Sequence, residues 1–79
     1  MSTFRGTVSS RVTNAKRESG NTFFFNAIVD GESYYVRLVP DGTTNPSIPG
    51  FGQTCVITGE KHEGDDHKKI IIAKDVQRG

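Results

Sequence analysis

The dipeptide Asp30-Gly31 constrains this chain more than any other feature. It sits between two runs rich in aromatic and β-branched residues, Thr22 to Val29 and Ser33 to Val39. Both central residues of a type I′ turn need positive φ, which Asp and Gly tolerate, so Asp-Gly between such runs predicts a two-residue hairpin. The register follows at once. Val29 faces Glu32, Ile28 faces Ser33, Ala27 faces Tyr34, Asn26 faces Tyr35, Phe25 faces Val36, Phe24 faces Arg37 and Phe23 faces Leu38. Side chains alternate between the two sides of a strand. One side then carries Phe23, Phe25, Ala27, Tyr34, Val36 and Leu38, an apolar set fit for a core. The other carries Phe24, Asn26, Ile28, Ser33, Tyr35 and Arg37. A slip of one residue would exchange the sides and bury Asn26 and Arg37, which argues for the register given.

The rest of the chain reads as further short strands. Ala and Leu together supply four residues, and no stretch of a dozen keeps a 3.6-residue period. Phe4 to Val12 alternates, with Arg5, Thr7, Ser9 and Arg11 on its outward side. Residues 16–21 read as a polar turn. Residues 40–52 hold Pro40, Pro46, Pro49, Gly42, Gly50 and Gly52 and read as a loop. Gln53 to Thr58 makes a fourth strand, residues 60–67 a charged loop around Gly64, and Lys69 to Val76 a fifth strand. Five strands in one domain, residues 1–79, would leave exposed edges as a flat sheet, and closure into a small barrel removes them. Gly6 and Gly59 suit the sharp bends of such a barrel.

Charge and composition narrow the function. The net charge is only +1, but residues 1–17 carry Arg5, Arg11, Lys16 and Arg17 without an acid, the middle is acidic, and residues 67–79 are basic again. A fold that joins the two ends would concentrate positive charge. No apolar run approaches the roughly 20 residues of a membrane span, and no signal peptide is expected. Cys55 is the only cysteine, so no internal disulfide or Cys-based zinc site is expected and a reducing, cytoplasmic setting is the simplest. His62, Asp65, Asp66 and His67 do not have the spacing of a compact metal site, and no cofactor is expected. Cys55 lacks a neighbouring histidine, and no catalytic group emerges, so an enzyme is the least favoured class. Phe51 is expected to plug one end of the barrel, with stacking on ligand as the alternative. Ile70, Ile71 and Ile72 make a strand apolar on both sides, which favours a homo-oligomer, a dimer first.

The solvent side of the hairpin is the functional clue. Phe24 opposite Arg37 and Tyr35 opposite Asn26 form flat π surfaces with a guanidinium and an amide between them. Bases stack on such surfaces whatever their identity, at ~1–3 kcal/mol each. Arg11, Lys16, Arg17 and Arg37 are the cations expected to meet phosphates. Two other uses of the same side stay open: a cross-strand aromatic ladder that only stabilises the hairpin, and a patch covered by a second subunit.

Three features together resemble the OB-fold, the five-stranded Greek-key barrel of single-stranded nucleic-acid-binding proteins. They are the long first strand ending in a basic turn (Val8 to Arg17), the aromatics Phe23-Phe24-Phe25 and Tyr34-Tyr35 on strands two and three, and the charged hairpin Glu60 to Lys69 before an Ile-rich last strand. The 40–52 loop leaves no or minimal helix between strands three and four, as in cold-shock domains and the small single-stranded-DNA-binding proteins of filamentous phages. The cold-shock motif Lys-Gly-Phe-Gly-Phe is absent. The resemblance implies that ligand crosses strands two and three at Phe24, Asn26, Tyr35 and Arg37. It places Lys16 and Arg17 in the first gripping loop, and Lys61, His62, Lys68 and Lys69 in the last. The function it implies is sequence-tolerant binding of single-stranded DNA in replication or recombination of a phage or plasmid, with RNA an open alternative. A protein-interaction module using the same aromatic side is the competing expectation, and the near-neutral total charge favours it.

Overall fold

In the computed structural model the described residues are 2–17, 20–64, 66 and 68–79, and of Arg17 the backbone alone. They form six strands and no helix: β1 (Ser2–Val8), β2 (Thr13–Arg17), β3 (Gly20–Val29), β4 (Glu32–Leu38), β5 (Thr54–Glu63) and β6 (Lys69–Arg78). All six belong to one sheet, ordered β1-β5-β6-β4-β3-β2, and β1 also pairs with β3. The pairing therefore closes a ring through β1, β5, β6, β4 and β3, with β2 hanging on β3. Only β4 and β6 run parallel.

The β3–β4 hairpin has all seven expected pairs, from Phe23 with Leu38 to Val29 with Glu32. Its turn has Asp30 at φ 53° and Gly31 at φ 78°, the two positive values a type I′ turn requires. The inward side is the core. Phe25, Ala27, Tyr34, Val36 and Leu38 are buried, and Phe23 packs against them partly exposed. Val8, Val29, Cys55, Ile57, Ile71, Ala73 and Val76 complete the cluster from the other strands. Each large aliphatic sealed there contributes about 1.5–3 kcal/mol.

The expectation of one continuous first strand is corrected. β1 ends at Val8, and the chain turns before β2 starts at Thr13. The main-chain N–H of Ser9 donates to the Asn26 carbonyl, and the Ser10 hydroxyl accepts the Asn26 N–H at 2.7 Å. A serine side chain thus takes over one ladder bond where the two backbones part. Lys16, Arg17, Gly20 and Asn21, expected in a turn, are paired residues of β2 and β3. Glu18 and Ser19 lie outside the described residues. The charged 60–67 loop also shrinks, because β5 continues to Glu63 against Lys69.

Two glycines close the ring. A Cβ on Gly6 would sit 2.9 Å from the Ile28 carbonyl oxygen, where β1 is held between β5 and β3. A Cβ on Gly59 would sit 2.7 Å from Ala73 Cα and closer still to the Ile72 carbonyl oxygen. Beside Gly59 the ladder shifts: Thr58 faces Asp75 and Gly59 faces Ala73, which leaves Lys74 as the extra residue of a bulge. The bulge turns Ala73 and Val76, three residues apart, both inward. Phe51 does not plug the ring as expected. It is 74% exposed, while Ile48 packs on the core and Pro49 is fully buried, so those two residues cover it instead.

Candidate nucleic-acid interface

Strand pairing lines up the outward side chains in rows. One row runs Thr13, Phe24, Arg37, Ile72 and Glu60 across β2, β3, β4, β6 and β5. The next runs Asn26, Tyr35, Ile70 and His62. Phe24 and Tyr35 touch diagonally, with ring centroids 6.0 Å apart and planes inclined by 22°. Tyr35 is 44% exposed and Phe24 half-buried. Beside Tyr35 lies a hollow of about 510 Å³ lined by Asn26, Ser33, Tyr35, Lys68, Lys69 and Ile70. It combines a ring face, an amide, a hydroxyl and a cation within one opening. That set suits a flat heteroaromatic group with a charged tail.

Arg37 is half-buried between Phe24 and Ile72. Its Nε is shut off from water and has no hydrogen-bond partner among the described residues. The guanidinium makes no ion pair among the described residues, so none of them neutralises its positive charge on the face. Arg11 is exposed on the link between β1 and β2, just ahead of Thr13 in the first row.

Of the other expected cations, Lys68 and Lys69 line the Tyr35 hollow, and Lys16 and Lys61 stand apart from it. Lys16 pairs with Asn21, two residues from Phe23, so alternation turns it to the side opposite Phe24. The side chain of Arg17 lies outside the described residues. Lys61 and Lys69 stand on the inward side of their strands, at one end of the ring. Lys61 Nζ lies 4.8 Å from the Phe4 ring centroid and 5.1 Å from that of Tyr34, and 3.8 Å from the Asp30 carboxylate. Lys69 Nζ lies 6.0 Å from the Tyr34 ring centroid and is bonded to Glu32. That bond holds the Glu32 carboxyl below the usual glutamate range and raises the Lys69 ammonium above the usual lysine range. Both lysines are thus engaged by acids and rings, and Lys69 also lines the Tyr35 hollow. Lys68 is exposed at the mouth of that hollow, 3.6 Å from Asp66. His62 is exposed, with Nε2 3.9 Å from Glu60.

Asp65 and His67, half of the weighed metal group, lie outside the described residues. No three His, Cys, Asp or Glu side chains gather among the described ones. Cys55 is buried, and burial pushes its thiol up, away from the reactive thiolate. No helix among the described residues is long and apolar enough to cross a membrane.

Sequence reasoning missed the part that Ile70 and Ile72 play. Their alternation with Ile71 was readable, but not that β6 lies beside the Tyr35 strand. For Phe51 no local signal decided between the plug and the exposed, ligand-stacking ring. Comparison of the chain with protein-family models, with curated proteins and with solved structures gives no match.

Proposed function

We propose that this protein binds single-stranded nucleic acid, DNA first, through the face that carries Phe24, Asn26, Tyr35 and Arg37. The observation that carries the reading is the near-parallel pair of rings on a water-facing row, beside an arginine that makes no ion pair among the described residues. Bases stack on Phe24 and Tyr35, one occupies the hollow by Asn26 and Ser33, and phosphates meet Arg37, Arg11 and Lys68. The reading includes an OB-fold. Its support is the ring of strands taken out of chain order, with β6 between β5 and β4 and with β5 returning beside β1, as a Greek key does. Such a protein would coat DNA during replication or recombination, in a cytoplasm, and would be a binding protein rather than an enzyme.

The test is fluorescence anisotropy with oligo-dT at two salt concentrations, and with a duplex of equal length. Affinity should fall steeply with salt, since neutralised phosphates release counterions. Phe24→Ala and Tyr35→Ala should each cost ~1–3 kcal/mol of binding. A flat salt response, or equal affinity for the duplex, would refute the proposal.

A second reading has its own observation. Ile28 and Ile72 are 40% and 37% exposed on the same face, and the net charge is only +1. An apolar face of that kind also fits a second copy of the chain or another protein. A partner retained after nuclease treatment would favour this reading.

A further inference from the structure

Phe51 is the most exposed large apolar side chain of the molecule among the described residues, at 74%. Yet its turn is held firmly. Gly52 N–H donates to the Val8 carbonyl at 2.9 Å, Val8 N–H to the Gln53 carbonyl at 2.9 Å, and Gln53 N–H to the Gly50 carbonyl at 3.1 Å. The Gln53 side chain accepts the Gly50 N–H at 2.7 Å, and Pro49 is buried behind. The ring is therefore displayed rather than loosely hung, and nothing in the core needs it. With Arg11, Val12 and Gly50 it lines a hollow of about 520 Å³ that contains no carboxylate. Arg11 makes no ion pair with any described residue.

This hollow adjoins the sheet site. Ser9 and Ser10 are bonded to the backbone of Asn26, and Thr13 faces Phe24. The short stretch from Ser9 to Thr13 thus spans from the rings on the sheet to Phe51, with Arg11 midway. We propose that Phe51 and Arg11 form a second nucleotide subsite, in which a base stacks on Phe51 and the phosphate before it meets Arg11. The strand leaves the sheet across the gap between β1 and β2 instead of continuing along the sheet. This rests on the nucleic-acid reading above. The occupant is a nucleotide because the hollow pairs a bare ring with a cation that no described residue neutralises, and because it continues the proposed nucleic-acid face.

The experiment compares oligo-dT of about 4 and about 12 nucleotides, near the two ends of the site sizes such surfaces show. Phe51→Ala should weaken the longer strand roughly tenfold and leave the shorter one unchanged, the loss of one stacked base. Phe51→Tyr should restore the longer strand. Arg11→Ala should lower the slope of log affinity against log salt for the longer strand by about 0.7. The proposal is overturned if Phe51→Ala binds both lengths as the unmodified chain does while Phe24→Ala weakens both, and in that case the sheet site survives. If neither variant changes either affinity, the sheet site falls with it. A Phe51→Ala chain whose mass by light scattering differs from that of the unmodified protein would show a contact between copies, which also overturns the proposal.

Discussion

At the scale of single residues, the positions that matter most for stability carry the least chemistry. Gly59 lies where β6 crosses so close that a methyl would meet Ala73 Cα at 2.7 Å, and the nearest atoms are all Ile72–Ala73 backbone, with no flexible side chain to yield. Gly59→Ala should therefore cost about 3 kcal/mol, a fall in melting temperature of roughly 15 °C for a domain of this size. Thermal unfolding followed by circular dichroism checks it. Arg37 is the opposite case. Its Nε is buried without a partner among the described residues, which is unfavourable for the free protein. A charge kept at such a cost is consistent with a ligand that relieves it.

The hairpin of β3 and β4 is the element on which the site depends. Its turn fixes which residues face each other, and alternation then decides that Phe24 and Tyr35 share the water side. Gly31, at φ 78°, tests this directly. Gly31→Val places a β-branched residue in the left-handed region and should destabilise the fold by about 2 kcal/mol. Denaturant titration would measure the loss, and a single-stranded ligand should bind the folded fraction as before, because the turn lies away from the rings. The hairpin was legible because its information is local: two special φ values and a period of two. The split between β1 and β2 was not. Phe4 to Val12 alternates well enough to be one strand, and the break is imposed by the Ser9 and Ser10 bonds to Asn26, a strand distant in sequence.

For the molecule as a whole, closure of the ring sorts the cations. Lys61 and Lys69 close one end over Phe4 and Tyr34 and pair with Asp30 and Glu32. The Glu32–Lys69 pair makes the fold pH-dependent in a defined sense. The carboxyl titrates low in the folded chain, so its contribution is full above the ordinary glutamate range and fades as pH falls through its lowered value. The ammonium titrates high, so its contribution is full below the ordinary lysine range and fades as pH rises through its raised value. Glu32→Gln should thus lower the melting temperature slightly near about pH 6, and the difference should shrink as the pH falls below the ordinary glutamate range. Identical curves at every pH would mean that the pair adds nothing. From residue order alone came the all-β class, the hairpin and its two sides, and with them the candidate rings; each rests on neighbours a few positions apart. Only the folded chain decided that β6 lies beside β4, that Ile70 and Ile72 join the ringed face, that Lys16 turns away from it, and that Phe51 stands in water. Lys16 is turned away by its pairing with Asn21, five residues on; the other outcomes depend on contacts between segments 30 or more residues apart, such as Tyr35 with Ile70, where local periodicity carries no information about which strand becomes whose neighbour.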